Sequence, residues 1–277
     1  MVVANQRGTG TGAREGVLFV KAGCRMAGHM SAAASAPSAP SKELSEFARL
    51  SGIIWEPSAT FRDIAARPRW WPPLVIVIAL SLAFSYMFTQ RGGWEHFFRQ
   101  QMETNSRMQS MPADQREQTM AMQIKVGPYF AYGGAVVGLP LFILAAAGIF
   151  LFVFRTLLGA ELSFKQVFAI CCYSFVPLIF SSLMALAVML LKEPDQFDLQ
   201  NPILTNIGAF LDSVSTPKWL YALASSVDVF SIWIMVLMAT GLSAAARKIS
   251  WTTSFMCVLG TWLVYVLLKV GGAAISG

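Results

Sequence analysis

Charged side chains divide this chain into long silent stretches. No Lys, Arg, Asp or Glu occurs from Trp70 to Gln90, from Val126 to Phe154, from Gln166 to Leu191 or from Ile249 to Leu268, and a fifth stretch, Trp219 to Ala246, holds Asp228 alone. A hydrocarbon core of about 30 Å takes about 20 helical residues, so each stretch is long enough to cross it. The runs lack the alternation of a barrel strand, and an open sheet edge in lipid would leave backbone groups unsatisfied. The pattern predicts an all-α polytopic membrane protein, a bundle of five transmembrane helices over approximately 70–90, 128–154, 166–191, 220–246 and 250–270, within a membrane domain 70–277.

The polar segments set the rest of the organisation. Residues 1–41 are rich in Ala, Ser, Pro and Gly, end in SAAASAPSAPS and have no periodicity, so a disordered tail is expected. The apolar run Gly16 to Ala22 is brief and broken by Lys21, which argues against a cleaved leader. Residues 42–69 read as a cytoplasmic amphipathic segment. Leu44, Phe47 and Leu50 are spaced by three, and a second helix starts near Pro57 with Phe61, Ile64 and Ala65 on one face and Arg62 and Asp63 opposite. Such a segment suits either a helix lying on the headgroups or a cap packed on the end of the bundle. Trp70, Trp71, Pro72 and Pro73 mark the first water boundary. Gly134 and Gly138 have GxxxG spacing, which predicts close helix packing, and Pro177 predicts a kink in the third span.

Composition agrees with a membrane protein: 55% of residues are hydrophobic and 13% charged, against about 25% charged in average soluble domains. The net charge of +6 is dispersed over loops and forms no stripe for nucleic acid. Counted on alternate sides, thirteen Lys and Arg fall with the amino terminus and eight opposite, and the short loops beside Arg155 and Arg247 are basic. This places the amino terminus in the cytoplasm and the carboxyl terminus outside a cell membrane.

Catalytic chemistry is missing from the sequence. The two histidines, His29 and His96, lie outside the spans, no phosphate-binding loop occurs, and Cys24, Cys171, Cys172 and Cys257 have no metal-ligand spacing. No enzyme activity, cofactor or metal is expected. Asp228 is the one acid inside a span; such a group is costly in lipid and should face the bundle interior. If the third and fourth spans are antiparallel neighbours, Asp228 lies at the depth of Ser181 and Ser182, and one of those hydroxyls is its expected partner. A helix-locking hydrogen bond, partner or ligand binding, and proton coupling are its possible roles.

Three segments carry a resemblance: WEPSATFRDIAARPRWWPPL (Trp55 to Leu74), CYSFVPLIF (Cys172 to Phe180) and SSVDVFSIWIMVLMATGLS (Ser225 to Ser243). Together they resemble the Yip1 family of membrane proteins, in its bacterial branch, over approximately Leu50 to Gly271. The resemblance matches Trp55, Pro57, Phe61, Pro68, Tyr173, Pro177, Asp228 and Trp233 to the family pattern and implies a five-helix domain with a cytoplasmic amino terminus. Eukaryotic relatives engage Rab-type GTPases in vesicle trafficking; no matching motif stands in the segment before the first span, so that role is not transferred. The expectation is a non-catalytic membrane scaffold or membrane-organising protein. Its partners would be the lipid bilayer and a membrane protein, a cytoplasmic protein or a second copy. The alternative is a small-solute or ion permease using Asp228.

Overall fold

A long apolar run can satisfy its own backbone groups only by coiling into a helix, and the described chain is helical almost throughout. The computed structural model describes residues 43–276 apart from 105, 194, 195, 213 and 214; the tail expected to be disordered, 1–41, lies outside the described residues. Two short helices, α1 (Glu46–Trp55) and α2 (Pro57–Ala66), precede α3 (Trp71–Gln90). Then come α4 (Gly93–Thr104), α5 (Ser106–Gln109), α6 (Ala113–Gly133), α7 (Leu139–Phe152), α8 (Phe164–Ser174) and α9 (Pro177–Leu191). The last three are α10 (Lys218–Ala224), α11 (Val229–Ala245) and α12 (Trp251–Ser276). Among the described residues, β pairing is confined to one isolated bridge between Asn206 and Asp228.

Four helical stretches are long and apolar enough to cross a membrane: Trp71–Gln90, Ala113–Leu157, Phe164–Leu191 and Trp251–Ile275. The second is 45 residues long because α6 and α7 join through a π-helical turn at Gly134–Gly138 and α7 continues into another at Val153–Leu157. The third bends where α8 meets α9. Pro177 has no N–H to offer the Tyr173 carbonyl, which accepts instead from Val176 N at 3.1 Å. The stretch 220–246, expected as one span, is broken: α10 stops at Ala224, the chain turns through 225–228, and α11 restarts as an apolar helix of 17 residues.

Side-chain contacts set the register of these helices. Arg91, just past α3, donates to the carbonyls of Met189 and Lys192 at the end of α9, while the Trp70 ring lies 5.4 Å from Phe168 near the start of α8. The α3 helix and the α8–α9 pair therefore run side by side in the same direction. Opposite them, α11 is antiparallel, with Trp233 stacked on Phe180 at 5.7 Å. The α12 helix returns along α11 and α10: Trp251 Nε1 donates to Thr240 Oγ1 at 3.0 Å, and Lys269 Nζ to Ser226 Oγ at 3.0 Å.

The centre of the bundle is α8, buried at every position from Val167 to Ser174 and packed by α2, α3, α7 and α11. A helix apolar on all sides belongs inside a bundle. Gly241 lets α11 come close: a Cβ there would lie 2.5 Å from Ile170 and 2.8 Å from Phe61. The GxxxG expectation meets a different outcome. A Cβ at Gly134 or Gly138 would meet nothing within 4 Å beyond its own helix; α3 passes this turn, and Gly134 faces a cavity that it shares with α3 and α9 rather than a tight helix contact.

From Glu43 on, the chain forms one compact unit, and α1–α2 belongs to it as a cap on one end of the bundle. Phe61 and Ile64 are fully buried against the bundle, as the apolar face of α2 demands. In α1 the expected face is split: Leu50 packs against the core and Leu44 is half-buried. Phe47 is exposed, whereas Arg49 and Ile53 point inward and are fully buried, because two carboxylates wait there for the guanidinium.

Candidate functional site

Two polar constellations lie inside this apolar frame, one under the cap and one at the break before α11. Ser45 starts α1 by accepting from Ala48 N at 3.2 Å, and Pro57 opens α2, where a missing N–H costs nothing. The two helices bring residues 14 apart together: Arg49 Nε donates to Asp63 Oδ2 at 2.8 Å. Arg49 Nη2 sits 2.7 Å from the same oxygen as an ionic contact without hydrogen-bond angles, and Nη1 donates to Glu46 Oε1 at 3.3 Å. Tyr173, fully buried in α8, donates its hydroxyl to Glu46 Oε2 at 2.7 Å across 127 residues. Arg69 pairs with Glu46 at 3.2 Å and Glu43 at 2.7 Å, and Arg67 reaches Asp63 at 3.8 Å. A second tie is the Gln166 Nε2 bond to the Ala65 carbonyl at 2.9 Å, with Gln166 itself held by the Ser163 capping box of α8. Burial alone would disfavour the charge on Arg49, but the bond to Asp63 and the fields of Asp63 and Glu46 outweigh it and raise its pKa.

At the other constellation, Asp228 is a helix cap. Its side chain accepts from Ser231 N at 3.0 Å, the N-cap bond that starts α11, and from Thr205 Oγ1 at 2.6 Å. The adjacent backbone is satisfied too: Val229 N donates to Thr205 O at 3.2 Å and Ile207 N to Val227 O at 3.3 Å. Asn206 caps the next turn through Ala209 N at 2.9 Å and donates to Asn201 Oδ1 at 3.1 Å; Asn201 in turn donates to the Tyr221 hydroxyl. From the Trp233–Phe180 stack, Asp228 lies about 7 Å further along the axis, level with the α9 turn that contains Ser182 and Ala185.

The expected partners of Asp228 are corrected by this geometry. Its hydroxyl partner is Thr205, not Ser181 or Ser182. Those two serines line a cavity of about 400 Å³ together with Ser81 and Ser85 of α3 and Pro202. The reason is the break itself. Ending α10 at Ala224 frees the backbone at 225–228, and the segment after α9 folds back to pair with it.

The remaining expected residues fall into place without forming one site. Trp55 is exposed on α1, Pro68 is half-buried before α3, Pro177 is buried at the α8–α9 bend, and Trp233 stacks between Phe180 and Phe230. Cys171 and Cys172 are free and buried in α8. Among the described residues no three His, Cys, Asp or Glu come close enough to hold a metal ion.

A comparison with family models matches residues 51–272 to the Yip1 domain. The chain belongs to the Yip1 domain family. No curated protein and no solved structure matches it. In this Yip1-domain protein, Asp63, Tyr173 and Asp228 lie inside the matched span, whereas Glu46 and Arg49 precede it. Sequence reasoning missed Glu46, Arg49 and Thr205. An acid three residues before a basic residue on a short helix was the available signal for the first two; Thr205 had none.

Proposed function

We propose that this Yip1-domain protein is a non-catalytic membrane scaffold or membrane-organising protein. In this reading it crosses a cell membrane five times, with α11 as the fourth span and the α1–α2 cap in the cytoplasm. The observation that carries it is the fastening of the cap. A fully buried arginine and a buried tyrosine hold α1 in a fixed place, and α1 presents Phe47 and Trp55, each 81% exposed. Two large aromatics held rigidly in the open are what a protein partner or a second copy would use as anchors. The positive side supports the orientation, because Arg62, Arg155, Lys165, Arg247 and Lys248 belong to the cap side by the counting of basic loops.

Chemical crosslinking in native membranes, read by mass spectrometry, tests this with the full chain and Phe47→Ser/Trp55→Ser. These are surface changes, whereas deleting the cap would uncover Phe61 and Ile64. Crosslinked partners lost in the variant are the expected result; an identical set in both rules out the cap as the docking surface.

A small-solute or ion permease is the second reading, favoured by the broken helix at Asp228 and by the serine-lined cavity that includes Ser182 and Ala185, the α9 turn at the depth of Asp228. Its weakness is that Thr205 and Ser231 N already occupy both oxygens of Asp228. Proteoliposome flux that collapses in Asp228→Asn would establish it over the scaffold.

A further inference from the structure

Between the cap and the α11–α12 turn lies a cavity of about 700 Å³, lined by Arg62 of α2, Arg247 and Lys248 of the turn, Glu161 and Gln166, and an apolar wall of alanines from α2 and α11. Elsewhere on the cap the charges are matched: Arg49, Arg67 and Arg69 each pair with Glu43, Glu46 or Asp63. Arg62, Arg247 and Lys248 have no ion pair with a described residue, so the cavity collects three unneutralised cations against one acid. Three cations lining one cavity make its potential positive, and a positive cleft attracts an anion.

The site also lies at the level of an aromatic belt. Lys248 stands three residues before Trp251, the first residue of α12, and Gln166 stands two before Phe168, which touches the Trp70 ring. Rings of this kind sit where headgroups meet hydrocarbon. We propose that this cavity binds the phosphate of an anionic glycerophospholipid headgroup. Arg62, Arg247 and Lys248 hold the phosphate, Glu161 accepts from the headgroup hydroxyls, and the alanine wall faces the glycerol backbone. A soluble phosphate shares the same chemistry, but it would gain nothing from the aromatic belt or the apolar wall.

Native mass spectrometry of the detergent-solubilised full chain provides the test, with phosphatidylglycerol and phosphatidylcholine as probes. The wild type is expected to retain phosphatidylglycerol in preference to phosphatidylcholine. In R62Q/R247Q/K248Q its retention should fall roughly tenfold or more, whereas R99Q/K125Q/K192Q, changed away from the cavity, should keep it. Excess inorganic phosphate should not displace the lipid. The single variants R247Q and K248Q, on an exposed turn, should each show an intermediate loss, so that a misfolded triple variant is recognisable. Equal retention of the two lipids, or equal retention by wild type and the cavity variants, overturns the proposal. Displacement by inorganic phosphate assigns the cavity to a soluble anion and overturns it as well.

Discussion

Arg49 is the residue on which the cap depends. Removing one partner of a buried ion pair leaves the other charge uncompensated, at a cost of about 3–5 kcal/mol. Arg49→Met takes the nearest cation from Asp63 and Glu46 and leaves them only Arg67 at 3.8 Å and Arg69 at 3.2 Å, so the unfolding free energy in detergent should fall by up to that amount, read as a lower thermal midpoint. The double variant Arg49→Met/Asp63→Leu should recover part of the loss, since an apolar pair of similar volume carries no desolvation cost. The raised pKa of Arg49 means its contribution is intact at ordinary pH and is lost only as pH climbs into the strongly alkaline range. At the far constellation Asp228→Ala removes a helix cap and a hydroxyl's acceptor, a loss of about 1–2 kcal/mol. Asp228→Asn keeps a side-chain oxygen for Ser231 N and should cost less. A double-mutant cycle with Thr205→Val measures the shared part; complete additivity would mean that the 2.6 Å contact carries no energy.

At the scale of elements, the glycines separate helix faces that are used from faces that are open. Gly241→Ala places a methyl 2.5 Å from Ile170, which overpacks the α8–α11–α2 junction and should cost about 1–3 kcal/mol. Gly134→Ala and Gly138→Ala meet nothing within 4 Å in the chain and remove glycine from a helical stretch, so each should be neutral or stabilise the monomer by up to about 1 kcal/mol. Unfolding midpoints of the three variants decide this. A loss in Gly134→Ala comparable to that in Gly241→Ala would mean that another molecule packs on that face.

For the whole molecule, the number of crossings turns on α11. Its 17 residues extend about 26 Å, a little less than a hydrocarbon core of about 30 Å. Single cysteines introduced at Glu56, Glu161, Asp198 and Lys248 of a variant lacking native cysteines can be labelled with a membrane-impermeant maleimide in sealed, oriented vesicles. Five crossings place Glu56, Glu161 and Lys248 on one side and Asp198 on the other. Lys248 labelling with Asp198 would mean that α11 does not cross. In the native chain Cys171 and Cys172 should stay unlabelled until the bundle is unfolded, because both are buried in α8.

Long charge-free runs were enough by themselves to determine helices, membrane class and the places of four apolar stretches, since helix formation and partition into lipid depend on local composition summed over about 20 residues; the second helical stretch, Ala113–Leu157, runs well past its charge-free run. The proline bend at Pro177 and the buried face of Phe61, Ile64 and Ala65 were legible for the same reason: backbone donors and helical spacing are local properties. Tertiary structure alone decided where the charges go. Arg49 is buried because Asp63 and Glu46 meet it, Tyr173 closes the network from 127 residues away, and Asp228 caps a helix because Thr205, 23 residues earlier, folds back to it. A charge can be buried only where its partners converge, and that convergence is a property of the assembled bundle rather than of any window of sequence.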